Sequence, residues 1–314
     1  MNTIHIAFAS DENYVPHLAA TIASVLSNSE NENDFHIYIL DGGIRPESQQ
    51  KIRELTKIHP SAIDFLKPDW DILKDCPEIS HFSKNTYARL LLPEMLPDLD
   101  RILYLDCDTI VTTSLSPLWK TDFQGKSLAA VEDLMEFFPV RYLQNLSMRK
   151  RLALSSTGFN AGMILINLEK IRNERLFQKT ILWIGQNQEK LVVADQDGLN
   201  VIFENDFVVM PFKWNIQVQP GWFELLNKKQ RKEFQEYENL VKNPVGIIHY
   251  VSGIKPWHWY YWEPAGKLYW HYLAMTPWKD LKPQGNWKVK LLNLVRQNKV
   301  YMFLKSLWFN SPFC

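Results

Sequence analysis

The chain has 314 residues, 46% of them hydrophobic and 22% charged, and its 35 basic side chains balance its 35 acidic ones. That length and apolar content support a large buried core and exclude an intrinsically disordered chain. The neutral balance offers no electrostatic footprint for nucleic acid, so no nucleic-acid partner is expected.

Three cysteines, Cys76, Cys107 and Cys314, make no C-x-x-C pair and no even framework. A reducing compartment fits that usage. The opening MNTIHIAFASDEN carries neither a basic n-region nor a long apolar h-region, and no apolar run reaches the length of a membrane span. A cytoplasmic location is the expectation.

Thr3 to Ala9 (TIHIAFA) reads as a first buried strand, and Leu18, Ile22, Val25 and Leu26 give the helical period that follows it. Between them lie Asp11, Asn13 and Tyr14. Asp11 is either the N-cap of that helix or a ligand contact, and Tyr14 either packs or stacks on a base. Phe35 to Leu40 is the second strand, closed by the turn residues Asp41-Gly42-Gly43. Glu47 to Ile58 reads as a helix and Ala62 to Leu66 as a third strand. This β-α-β-α-β order predicts a parallel sheet with right-handed crossovers. No G-x-G-x-x-G follows the first strand, so the fold is not of the NAD-binding type.

Ser83 to Leu92 (SKNTYARLLL) predicts a helix with Arg89 among apolar residues. An arginine there requires a structural carboxylate or a ligand phosphate. Ile102 to Leu105 is a further buried strand, and it runs into Asp106-Cys107-Asp108. Side chains two apart in a strand point the same way, so the two carboxylates are expected to project together. Repelling each other, they call for a positive charge between them, and a hard divalent cation fits. The C-terminal edge of an open α/β sheet is also where ligands bind.

Leu128 to Val131 is a short strand ending at Glu132-Asp133. Phe159-Asn160-Ala161-Gly162 then leads into a strand, Met163 to Asn167, and Glu169 to Gly185 into a helix. Gly162 permits close approach of a ligand or simply turns the chain. Ala194-Asp195-Gln196-Asp197 opens another helix, with Asp195 as its expected N-cap. Gln196, with both donors and acceptors, can hydrogen-bond a sugar. Val245 to Tyr250 is the last strand. His249 near its end is a candidate third metal ligand, and Lys255 a phosphate-neutralising charge.

Residues 257–278 are dense in aromatics. From Lys279 onward six lysines and one arginine stand against one aspartate, a net charge of +6 in a neutral chain. Lys288 to Phe309 interleaves those charges with Leu, Val, Tyr, Met and Trp, which suits an anionic membrane interface or a helical cap on the catalytic domain.

Seven motifs together resemble family-8 retaining glycosyltransferases, the group of the bacterial lipopolysaccharide galactosyl- and glucosyltransferases. They are ASDENY, TYARL, LYLDCDTIV, the Glu132-Asp133 pair, FNAG, DQDGLN and HYVSGIKPW, in the family order over residues 3 to 257. The resemblance implies an α/β, Rossmann-like, single-domain GT-A type fold with a mostly helical C-terminal extension. It puts the nucleotide-sugar-binding catalytic domain at 1–256 and the aromatic, basic extension at 257–314. It implies that Asp106, Asp108 and His249 coordinate Mn²⁺, with Mg²⁺ as the alternative. Asp11, Asn13 and Tyr14 would line the uridine end of a UDP-hexose, and Lys255 with the backbone at Ser252 and Gly253 would hold the diphosphate. Arg89, Asp133, Asn160, Ala161, Gly162, Asp195 and Gln196 would surround the transferred sugar. The family's glycine three residues after the histidine is Ser252 here, and the glycine stands one place on at Gly253, which puts the local phosphate geometry in question.

The implied reaction is retaining transfer of galactose or glucose from UDP to a lipid-linked oligosaccharide acceptor at the cytoplasmic face of the inner membrane. The tail would act as a peripheral membrane contact. Gln196 is a poor nucleophile, so same-face attack is favoured over a covalent adduct on Asp195. Two other readings compete: a metal-dependent nucleotide-sugar hydrolase or nucleotidyltransferase, and a non-catalytic, membrane-associated carbohydrate-binding protein.

Overall fold

In the computed structural model the described residues are 2–30, 33–79, 84–139, 141–251 and 253–285. The amphipathic tail read at 288–309 and the Ser252 position therefore lie outside the described residues.

The first apolar runs become β1 (Asn2–Ser10), β2 (Asn33–Asp41) and β3 (Ser61–Leu66), paired in parallel. Helix α1 (Val15–Ser27) and helix α2 (Pro46–Arg53) make the crossovers. Ile4, Ile6 and Phe8 of β1 bury against Leu18, Ile22 and Val25 of α1, while Ala7 turns to the other face, against Tyr38 and Tyr104. A strand covered on both faces explains why these runs are continuous rather than alternating. The helix expected through Ile58 ends at Arg53 and tightens into a 3₁₀ turn, Glu54–Lys57.

The chain continues through β4 (Arg101–Leu105), β5 (Thr109–Val111), β6 (Leu128–Glu132), β7 (Phe159–Asn167), β8 (Phe207–Val209), β9 (Ile216–Gln217) and β10 (Ile247–His249). The large sheet has seven strands in the order β3-β2-β1-β4-β7-β6-β8, and a small sheet has three in the order β5-β10-β9. The fold is thus the expected α/β class. The parallel pairing expected of the first three strands holds; beyond them the large sheet is mixed, because β7 runs antiparallel to both β4 and β6. Phe159 to Gly162 does not lead into that strand but is its first half. The reversal brings these residues to the edge where β4 ends, and Asp106 N–H donates to Gly162 O at 2.9 Å.

Three helices also depart from expectation. Lys84–Leu91 is a 3₁₀ helix followed by the short helix Leu92–Met95. Pro93 has no N–H for the Arg89 carbonyl, so an α-helical register cannot run through it. The helix expected over 169–185 is two, Leu168–Glu174 and Leu176–Gln186, broken at Arg175 with φ +53°. The helix Asp195–Ile202 has Ala194 at its N-cap with φ +47°, so Asp195 is its first residue rather than its cap. Its carboxylate is committed elsewhere, as shown below.

A third apolar cluster joins Ala20 and Ala23 of α1, Ile110 of β5 and Ile248 of β10 to Trp257, Tyr269, Tyr272 and Leu273. The segment after residue 256 therefore closes over α1 and the small sheet, with the helix Gly266–Leu273 against α1. Asn28 Nδ2 donates to the Tyr272 hydroxyl at 2.8 Å.

Candidate active site and metal centre

A cavity of about 230 Å³ opens where β1 and β4 end. Asp11, Tyr14, Arg89, Asp106, Asp108, Asn160, Gln196, His249 and Lys255 line it.

The carboxylates meet in a way that differs from the strand argument. β4 stops at Leu105 and β5 starts at Thr109, so Asp106-Cys107-Asp108 is the corner between the two sheets. The corner is strapped from several sides. Thr21 of α1 donates its hydroxyl to Thr109 O at 2.7 Å, Thr109 Oγ1 to Asp106 O at 2.9 Å, and Tyr250 N–H to Asp108 O at 3.0 Å. His249 comes in from β10. Its Nε2 lies 3.3 Å from Asp108 Oδ1 and 3.8 Å from Asp106 Oδ2.

The three side chains offer ligand atoms within 4.8 Å of one another. Asp108 Oδ1 is buried and has no hydrogen-bond partner. Gly162 makes the arrangement sterically feasible, since a Cβ there would overlap the His249 ring. Two carboxylates, one imidazole and an orphaned oxygen aimed between them fit a divalent cation. Lys255 Nζ sits on the other oxygen, 2.5 Å from Asp108 Oδ2 and 2.6 Å from Tyr250 O. Burial works to raise the Asp108 carboxyl, but the Lys255 ammonium beside it holds it below the ordinary carboxylate range.

Beside this corner Arg89 takes the structural alternative. Its Nε pairs with Asp195 Oδ2 at 2.9 Å, its Nη2 with Asp106 Oδ1 at 3.1 Å, and Nη1 donates to Ala161 O at 2.5 Å. The guanidinium also lies 4.1 Å from the Tyr104 ring centroid. Asp195 Oδ1 accepts from the Thr86 hydroxyl at 2.8 Å. Burial pushes the Asp195 carboxyl up to about 6, against the opposing pull of Arg89. Gln196 is likewise engaged: Oε1 accepts from Ala161 N–H at 2.8 Å and Nε2 donates to Asp133 Oδ2 at 3.0 Å. Burial raises the Asp133 carboxyl as well.

At the other end Asp11 Oδ1 accepts from the N–H groups of Asn13 and Tyr14 at 2.9 and 3.1 Å. It caps the turn ahead of α1, whose own N-cap is Tyr14. Tyr14 stands edge-on to His17 and Trp257.

Asn13 and Gly253 are exposed, and neither lines the cavity. Asp133, Ala161, Gly162 and Asp195 lie behind the wall, each buried. Sequence reasoning missed Asn85, Thr86 and Val193, which face the cavity. Thr86 could have been found, since it stands in TYARL beside Arg89. It also missed Asn215 and Gln217, buried on the first and last positions around β9. Two polar residues alternating with an apolar one in WNIQV were the available signal.

The glycosyl transferase family 8 model matches residues 5–260. General stress protein A of Bacillus subtilis (strain 168) is 31% identical over 291 residues, covering 88% of this chain and 96% of that protein. Lipopolysaccharide 1,2-glucosyltransferase of Escherichia coli (strain K12) is 27% identical over 283 residues, covering 90% and 80%. Among solved structures, the galactosyltransferase LgtC in complex with donor and acceptor sugar analogs matches with a TM-score of 0.74 at 27% identity, covering 87% of this chain and 96% of that one.

Proposed function

Because the chain belongs to glycosyl transferase family 8, we propose that it moves galactose or glucose from a UDP-sugar to a lipopolysaccharide-type oligosaccharide acceptor, with retention at the anomeric carbon. The observation that carries the reading is the convergence of Asp106, Asp108, His249 and Lys255 at one end of a cavity whose other walls hold Asp11, Tyr14 and Gln196. Both hexoses are kept because one relative is named a glucosyltransferase and the solved neighbour a galactosyltransferase.

A divalent cation held by Asp106, Asp108 and His249, Mn²⁺ in this reading, would neutralise charge on the leaving diphosphate. Lys255 adds a positive charge beside it, and Asp11 and Tyr14 bind the nucleoside. In the transfer, the bond from the sugar C1 to the diphosphate oxygen breaks and a bond to the acceptor oxygen forms. The acceptor proton passes to the departing phosphate. Same-face attack is supported by how the nearby side chains are spent. Asp195 is 2% exposed, with its oxygens on Thr86 and Arg89. Gln196 has its oxygen on a backbone N–H. Gln196 therefore has no free atom with which to attack C1, and the Asp195 oxygen that lacks a hydrogen bond is held in the Arg89 ion pair behind the cavity wall. Asp133, Asn160, Ala161 and Gly162 shape the wall behind the sugar, and the backbone near Gly253 would close on the diphosphate.

The reading extends to place. No helix among the described residues is long and apolar enough to cross a membrane. The basic, aromatic segment at 288–309 would hold the enzyme on an anionic membrane face, near a lipid-linked acceptor.

A donor screen tests the reaction. The protein is incubated with Mn²⁺ and, in turn, UDP-galactose, UDP-glucose and their N-acetyl forms, and released UDP is quantified with and without truncated lipooligosaccharide. Metal-dependent UDP release from one hexose donor, lost in Asp108→Ala, is expected. Release of uridine monophosphate instead would favour the nucleotidyltransferase reading, and no release under any condition would remove the transferase one.

A further inference from the structure

We propose that Asn215 is a positioning residue that fixes the tautomer of His249, leaving the Nε2 lone pair aimed at the two carboxylates. The inference rests on the metal-site reading above. The assignment follows from a chain of hydrogen bonds that starts at a donor of known direction. Gly162 N–H donates to Asn160 Oδ1 at 3.0 Å. A backbone N–H can only donate, so that atom of Asn160 is the oxygen. The atom of Asn215 that faces the same oxygen, at 2.9 Å, must then be the amide nitrogen. The remaining atom of Asn215 is its oxygen, and it lies 3.1 Å from His249 Nδ1. An amide oxygen can only accept, so Nδ1 carries the proton. In the neutral ring Nε2 is therefore the bare nitrogen, and it is the atom 3.3 Å from Asp108 Oδ1.

The arrangement is built rather than incidental. Asn215 is 0% exposed and Asn160 7%, and a buried amide left without partners is costly. The parallel pairing of β9 with β10 sets Gln217 opposite His249, and Asn215, two residues before Gln217, falls on the same face as the histidine ring. Gln217, two residues on, reaches the end of β6. Its Oε1 accepts from Leu134 N–H and its Nε2 donates to Glu132 O, both at 2.9 Å, so it brackets Asp133. One short strand thus orients the imidazole with its first flank and the buried carboxylate with its second. Asn160, which the resemblance placed against the sugar, has its oxygen fully spent on this chain.

The test has two arms. In metal-free protein labelled with ¹⁵N-histidine, long-range ¹⁵N–¹H spectra report the tautomer, with the His249 signals identified by their loss in His249→Gln. A proton on Nδ1 is expected, and a ring with Nδ1 bare and its proton on Nε2 overturns the proposal. The second arm measures Mn²⁺ affinity in the presence of UDP by the electron paramagnetic resonance of free Mn²⁺. Asn215→Leu keeps the volume without the acceptor and is expected to weaken Mn²⁺ binding about tenfold or more, while metal-free UDP binding stays unchanged. Asn215→Asp keeps an acceptor at Nδ1 while giving up the donor to Asn160 Oδ1, and is expected to keep the proton on Nδ1. Wild-type affinity in the Leu variant overturns the proposal. Failure of the wild-type protein to bind Mn²⁺ with UDP would instead remove the metal-site reading, and the tautomer arm would still decide the role of Asn215.

Discussion

At the scale of single residues, the site depends on a side chain that is missing. His249 packs so closely on residue 162 that any Cβ would overlap its ring, with Nδ1 and Cε1 the nearest atoms. The ring cannot yield easily, since it is 5% exposed and tied to Asn215. Gly162→Ala is therefore expected to cost about 1–3 kcal/mol of stability by overpacking and to weaken Mn²⁺ binding about tenfold or more by displacing the ligand. Denaturant unfolding and Mn²⁺ titration would read the two effects, and unchanged values in both would show that the ring has another place to sit. Residues of this kind mark the limit of what the sequence alone conveys. The carboxylates of Asp106 and Asp108 were legible because their charge and spacing are local facts. The role of Asn215 was not, because an isolated asparagine reads as turn chemistry until its burial and its partners, from 55 and 34 residues away, are known.

At the scale of elements, the apolar runs announced which strands are buried but not which way they run. A strand covered on both faces reads the same in either direction, so the reversal of β7 was invisible, and with it the reason why FNAG abuts the Asp106 corner. The clasp between α1 and the helix Gly266–Leu273 was equally hidden, since its partners lie 252 residues apart. His17 of α1 stacks on Trp257 at 3.5 Å and 9°, with Nδ1 2.7 Å from the Tyr269 hydroxyl. Burial drives its pKa from 6.5 down to about 3, against the raising pull of Asp108. A base whose native pKa lies below its unfolded value favours folding above the unfolded pKa. That contribution is lost as pH falls from about 6.5 towards 3, at roughly 1.4 kcal/mol per pH unit. Between pH 7 and pH 5 the wild-type protein is expected to lose about 2 kcal/mol more stability than His17→Phe, which keeps the ring but cannot titrate. Parallel losses in urea unfolding at the two pH values would place the titration elsewhere.

At the scale of the whole molecule, fold and charge divide the chain at different points. The core does not end with the catalytic motifs: Trp257, Tyr269, Tyr272 and Leu273 are 3%, 2%, 7% and 1% exposed and pack with Ile110 and Ile248. Each large side chain removed from such a core costs about 2–5 kcal/mol, against a total stability on the order of 5–15 kcal/mol. A chain cut after residue 256 is therefore expected not to fold. Residues 286–314 differ in kind, with four lysines, one arginine and no acidic residue. A chain ending at Gly285 keeps every described residue of the third cluster and should fold and release UDP from its donor in solution. It should lose sedimentation with vesicles containing anionic lipid, which the full chain is expected to show at low salt and to lose at high salt. If the shortened chain binds such vesicles as tightly as the full one, the membrane contact lies on the folded body, and the aromatic residues between 257 and 262 become the place to look.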